Sequence, residues 1–122
     1  MPVEGKIISK FGENYLGSSN QGINIATKLG QDVKSVTSGT VIHAAHDDKF
    51  GNLIIIKSHN SDIFAAYAHL QDLMLKKGDT INTSDLVGHV GQSGDVSSPQ
   101  LHFAVRNGKT PIDPIRFLKQ EY

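Results

Sequence analysis

The pattern that most constrains this chain is a succession of short runs rich in β-branched and aromatic residues, each bounded by Gly, Asn, Asp or Ser. GTVIHAA (39–45), NLIIIKS (52–58), DIFAAYAHL (62–70) and LHFAVR (101–106) are the strongest. Such side chains suit a pleated, half-buried surface, and the residues between them carry turn chemistry. KIIS, INIAT, DVKSV and LVGHV repeat the pattern more weakly, and SHNSD (58–62) reads as a hairpin turn between two strong runs. No segment carries a long helical period. HLQDLML (69–75) and DPIRFLKQ (113–120) are each expected to form a helical turn or two, the second capped by Asp113 and begun by Pro114. The fold class read from this is all-β: an antiparallel sandwich or small barrel with short helical turns.

A chain of 122 residues that is 38% hydrophobic is expected to form one domain over residues 1–122, with a real core. Twelve Lys and Arg balance twelve Asp and Glu, so no net field draws in nucleic acid or an anionic surface. No apolar stretch approaches the ~18–20 residues of a membrane-spanning helix. The absence of cysteine excludes disulfides and thiolate metal sites. MPVEGKIIS, at the start, has no long apolar region of the kind found in a signal peptide.

Six histidines raise the question of a metal, since zinc favours imidazole and carboxylate ligands where thiolate is missing. His43 and His46 are three apart, and on one strand they would point to opposite faces unless a turn began near Ala45. His59 stands where a strand enters a turn and is read as a hydrogen-bonding residue. His89 has no visible partner. His69 and His102 differ, because each sits in an ordered apolar run, YAHL and QLHF, that adjacent antiparallel strands would bring into one groove.

The ordered set NQGINIAT, SVTSGTVIHAA, FGNLIIIKSH, AAYAHL, KKGDTI and LVGHVGQSGDVSSPQLHFAV resembles the LytM domain, the fold of the lysostaphin-type zinc endopeptidases that cut peptidoglycan. The resemblance runs from about residue 5 to 118. In active members a His-x-x-x-Asp motif and the last His of a His-x-His motif bind zinc, and two further histidines assist the water and the transition state. By this resemblance, the first two ligand positions are Asn20 and Asn24, and the third is His102. The assisting positions are Gln100 and His69, and a Glu common in active members is replaced by Ala104. A neutral amide offers no charge to offset the desolvation of Zn²⁺, and one imidazole does not hold a catalytic zinc. Without the metal no hydroxide forms near neutral pH. No metal, cofactor or catalytic residue is therefore expected. Asn20, Asn24, His69, Gln100 and His102 become candidate binding residues of a degenerate groove.

Degenerate LytM domains are chiefly activators of cell-wall amidases, and NxGINIA with SSPQLHF resembles the NlpD and DipM type. The resemblance implies a periplasmic regulator of zinc-dependent N-acetylmuramoyl-L-alanine amidases, which split septal peptidoglycan in Gram-negative cell division. It also implies that the chain is the C-terminal domain of a longer exported precursor. A passive peptidoglycan-binding module and a residual zinc endopeptidase stay open as alternatives.

Overall fold

The computed structural model describes residues 1–121 as twelve strands and one helix. The strands are β1 (Lys6–Ser9), β2 (Asn14–Tyr15), β3 (Ser18–Ser19), β4 (Gly22–Ala26), β5 (Asp32–Lys34) and β6 (Gly39–Asp47). They continue with β7 (Gly51–Ser58), β8 (Ile63–Leu70), β9 (Thr80–Ile81), β10 (Leu86–His89), β11 (Gln100–Asn107) and β12 (Thr110–Ile112). Helix α1 (Pro114–Glu121) closes the described chain. The four strong sequence runs form β6, β7, β8 and β11, and the weaker ones form β1, β4, β5 and β10.

Eight strands make one antiparallel sheet in the order β1-β4-β11-β8-β7-β6-β9, with β12 pairing the far end of β11 beyond β4. The β5/β10 ribbon is tied to the main sheet by bridges from Val90 to Leu70 and from Gly91 to Gln100. Alternation places Ile23 and Ile25 of β4, Leu101, Phe103 and Val105 of β11, Tyr67 of β8 and Ile54 and Ile56 of β7 in one core. Val33 of β5 and Val87 of β10 join it. Phe103 is opposite Ile23 on one side and Tyr67 on the other, its ring centroid 5.4 Å from that of Tyr67. Burying such a side chain stabilises the fold by ~1.5–3 kcal/mol. The Tyr67 hydroxyl accepts a hydrogen bond from the Val36 amide at 3.0 Å, so its polar end is satisfied inside the core.

Gly22 permits the close approach of β4 to β11. A Cβ there would stand 2.3 Å from the Phe103 carbonyl oxygen. At the C-terminal end, the Asp113 carboxylate accepts from the Ile115 amide at 3.0 Å and caps α1, as its sequence position predicts. The expectation of a helical turn at HLQDLML is corrected. His69 and Leu70 finish β8, and the Gln71 amide donates to the His89 carbonyl instead of starting a helix. Leu73 and Met74 are left exposed, so no apolar helical face is buried there. No helix among the described residues is long and apolar enough to cross a membrane.

Candidate functional site

The alternation that fills the core also sets the opposite face of the sheet. Asn24 lies between Ile23 and Ile25, and Gln100 and His102 alternate with Leu101 and Phe103. In register, His102 pairs with Asn24 on one neighbour and Ala68 on the other. Asn20 sits two residues before β4, where its Oδ1 accepts from the Gly22 amide at 2.9 Å and fixes the turn into the strand.

His69 reaches this face through an irregularity. Asn52 faces Leu70 and Ile54 faces Tyr67, so Ala68 and His69 together oppose Leu53 alone. This is a β-bulge, and His69 adopts φ 62° within it. Strict alternation from buried Tyr67 would drive His69 into the core. The bulge turns it outward and returns Leu70 to the interior. The two imidazoles end with centroids 6.3 Å apart, in one groove as the sequence predicts.

The five candidate residues are all buried. Four of them form one hydrogen-bonded chain across β1, β4 and β11. Asn20 Nδ2 donates to Ser9 Oγ at 2.9 Å and to Asn24 Oδ1 at 3.0 Å. His102 Nδ1 donates to the same Asn24 Oδ1 at 3.0 Å. Asn24 Nδ2 donates to Gln100 Oε1 at 2.8 Å, and Gln100 Nε2 donates to the Ser98 carbonyl and Oγ at 3.3 Å each. No buried side-chain nitrogen or oxygen among the described residues lacks a partner. The cluster is therefore a closed set, as burial of so many polar groups requires.

His69 is held separately. Its Nδ1 donates to the Ser93 carbonyl at 2.8 Å, which fixes the proton on that nitrogen. Nε2 is then the acceptor, and the Tyr15 hydroxyl donates to it. Ser93 itself is pinned, its Oγ donating to the Leu70 carbonyl at 2.6 Å and accepting from the Asn52 amide at 3.0 Å. Gly51, at φ 67°, gives it room, since a Cβ there would lie 2.3 Å from Ser93 Oγ.

The residue sequence reasoning missed is Tyr15. It comes from the β2/β3 hairpin, whose two-residue turn uses Leu16 and Gly17, both with positive φ. The hairpin lays the Tyr15 ring over the His102 imidazole, with centroids 4.7 Å apart and planes 11° from parallel, while its hydroxyl meets His69. Phe50 packs its ring 5.4 Å from that of His102. A depression of about 400 Å³ opens at this rim, bordered by Tyr15, Ser18, Ser19, Gln21, Lys49 and Phe50 as well as His102.

Burial governs the protonation states. It pushes the His102 imidazole down to about 3, and repulsion from His69 and Lys49 adds to the fall. It lowers His69 too, against the Ser93 hydrogen bond and the Asp95 carboxylate, which favour the cation. The Tyr15 phenol is pushed up to about 12 by burial; an Asn24 hydrogen bond opposes this rise and Asp95 adds to it. The site is thus a neutral one, built of amides, neutral imidazoles and a phenol.

The zinc that the resemblance implies in active members does not fit this donor set. Asn20, Asn24 and His102 do converge, but only His102 offers an imidazole, and its Nδ1 carries the proton given to Asn24. Asn24 Oδ1 already accepts two hydrogen bonds. Neither amide brings the charge that offsets stripping water from Zn²⁺. Among the described residues no three His, Cys, Asp or Glu side chains come together to hold a metal. The other histidines lie elsewhere. Strand β6 runs on through Asp47 with no turn at Ala45, and His46 Nδ1 is 3.3 Å from Asn52 Oδ1. His59 hydrogen-bonds Thr40 Oγ1 at 3.0 Å beside the hairpin turn, as expected. His89 has a partner the sequence did not reveal, Asp32, at 3.4 Å.

Residues 18–114 match the model of peptidase family M23. The chain is 36% identical over 118 residues to the lipoprotein NlpD/LppB homolog of Pseudomonas aeruginosa, covering 96% of the chain and 38% of that protein. It is 37% identical over 120 residues to the murein hydrolase activator NlpD of Escherichia coli strain K12, covering 98% and 31%. It is also 37% identical over 120 residues to the cell division protein DipM of Caulobacter vibrioides, covering 93% and 20%. The chain thus spans well under half the length of each of these curated relatives. Among solved structures, the antimicrobial peptidase lysostaphin from Staphylococcus simulans aligns with a TM-score of 0.85 at 26% identity, over 96% of this chain and 50% of that one.

Proposed function

This chain belongs to peptidase family M23, and we propose that it is a catalytically silent LytM domain that activates a zinc-dependent N-acetylmuramoyl-L-alanine amidase during cell division. The observation that carries this reading is the closed amide cluster. The positions that would present metal ligands instead hydrogen-bond to each other, from Ser9 through Asn20 and Asn24 to His102. A groove so arranged has no metal hydroxide to offer a peptide bond, and Gln100 supplies no base. It keeps a shaped, partly aromatic mouth instead. The names of the E. coli and Caulobacter relatives, a murein hydrolase activator and a cell division protein, point the same way. The lipoprotein name of the Pseudomonas relative agrees with a place in the envelope, and we assign the periplasm.

In the mechanism we propose, the rim formed by Tyr15, Lys49 and Phe50 engages an element of the amidase and draws it away from the amidase's own active site. Asn20, Asn24, His69, Gln100 and His102 act from beneath, holding β1, β4 and β11 and the Tyr15 ring in one arrangement. The test is dye release from labelled sacculi by the amidase of the same organism, the chain, and both together. Release only with both present is the expected outcome. Co-sedimentation of the chain with sacculi but no stimulation would favour a passive wall-binding module. Release by the chain alone would favour a peptidase.

A further inference from the structure

The rim beside His102 continues along the outer face of the sheet. Gln21 borders three depressions in succession. The first is the one of about 400 Å³ at His102. The second, about 70 Å³, has Ala66 and Ala104 among its walls. The third, about 610 Å³, opens beside Phe64 and Arg106. They follow β11 from His102 to Arg106, four residues or ~13 Å of strand. Register explains the low floor between them: Ala104 is flanked by Gly22 on β4 and Ala66 on β8. Over these three strands the row carries no tall side chain, and Ile55 of β7, opposite Ala66, walls its far side, so a bound backbone can come close over Ala104.

Charge distinguishes the two ends. The chain as a whole has formal net charge zero, yet Lys49, Arg106 and Lys109 border these depressions against Asp62 alone. Arg106 is pre-set. Its Nε donates to the Gly108 carbonyl at 3.0 Å, and its guanidinium carbon lies 4.5 Å from the centroid of Phe64. Its terminal amino groups have no hydrogen-bond partner among the described residues. Lys49 is steadied by Ser18 Oγ at 3.3 Å and by the Phe50 ring at 5.3 Å. Asp95 acts electrostatically on Tyr15 and His69 but forms no ion pair with Lys49. A guanidinium fixed at one edge with its fork left free is suited to a carboxylate.

We infer that this trough seats an acidic segment of the protein partner, with one carboxylate on Arg106, a second near Lys49, and small apolar side chains over Ala66 and Ala104. The inference rests on the reading that the chain engages an amidase, and it names the chemistry of the element engaged. It takes the contact surface beyond the His102 site to residues that hold no part of the amide cluster.

The experiment is equilibrium binding of the purified amidase to the chain, followed by fluorescence anisotropy at low and at raised salt. The variants are Arg106→Glu, Lys109→Glu, Arg106→Lys and, as a probe of the rim alone, Tyr15→Ala. Arg106→Glu is expected to weaken binding roughly tenfold or more and to flatten its salt dependence, Lys109→Glu to weaken it less, and Arg106→Lys to fall between the parent and Arg106→Glu, since an ammonium keeps the charge but not the fork. Lys109 is exposed, so its reversal tests the charge without risk to the fold. Unchanged affinity in both reversals, with Tyr15→Ala weakened, would overturn the acidic trough and leave the activator reading standing. A parent chain that neither binds nor stimulates the amidase would bring down both.

Discussion

Replacing Asn24 with Ala removes the residue on which the buried cluster turns. Asn20 would survive the change, because Ser9 Oγ and the Gly22 amide still satisfy it. His102 and Gln100 would not. The Nδ1–H of His102 loses its acceptor, and Gln100 Oε1 loses its donor. His102 is 4% exposed and Gln100 8%, so water has little access to either. Each orphaned buried group costs ~1–3 kcal/mol, which puts the loss at ~2–6 kcal/mol with ~4 as the central value. Against a domain stability of ~5–15 kcal/mol this is a large fraction. A chain of 122 residues unfolds with an entropy near 0.26 kcal/mol/K, so ~4 kcal/mol corresponds to a Tm lower by ~15 °C. Thermal unfolding followed by circular dichroism, with urea titration for the free energy, reads this directly. The companion Asn24→Asp keeps the two contacts that Asn24 Oδ1 accepts but loses the donor to Gln100 and buries a charge, so it too is expected to be destabilised. A fall of under ~4 °C for Asn24→Ala, equivalent to ~1 kcal/mol, would refute the reasoning and mean that the amides do not couple the three strands.

The pH dependence follows from the imidazoles. Below about pH 6.5 the unfolded chain takes up a proton that folded His102, held to about 3, refuses. Stability from this group is complete above ~6.5 and is lost as pH falls toward its folded value, by ~2 kcal/mol at pH ~5; His69, also lowered, adds in the same direction. Urea titrations at the two pH values should show a smaller loss for His102→Gln than for the parent, and equal losses would contradict the assignment. Tyr15→Phe removes the donor to His69 Nε2 and is expected to cost ~1 kcal/mol, or ~4 °C in Tm. Because Asn20, Asn24 and His102 already converge, Asn20→His, Asn24→Asp and Gln100→His together are expected to take up zinc near one per chain, measured by elemental analysis after dialysis. A folded triple variant that stays metal-free would mean the frame has drifted from a ligand geometry. Activity is not expected to return with the metal, since positioning groups such as the Glu replaced by Ala104 are missing.

Period-two alternation was enough to read much of this molecule. In LHFAVR and GINIA it separates the core residues Ile23, Ile25, Leu101 and Phe103 from Asn24 and His102; that the latter two share a site is what the LytM resemblance implies, and the register sets them opposite each other. Asp113 before Pro114 was likewise readable as a cap, because capping is a local matter. The failures lie where local pattern is overridden. The Ala68–His69 bulge is invisible in AAYAHL, whose simple alternation would bury His69 on the core side. Tyr15 reaches the site from a hairpin whose turn, Leu-Gly, lacks the usual Asn-Gly signal, and its contacts span 54 residues of sequence. The apolar run at 73–75 looked helical, but its chain entry is pinned by a strand-type hydrogen bond from Gln71 to His89.

The central claim is that an M23 groove regulates an amidase without a metal of its own. Its most direct test treats the chain with a strong chelator, removes the chelator by exchange, and adds the chain to the zinc-loaded amidase on dye-labelled sacculi. The same stimulation as with untreated chain is expected, and no release by the chain alone even when zinc is supplied. Stimulation that disappears with chelation and returns with zinc, or release by the chain alone, would contradict it.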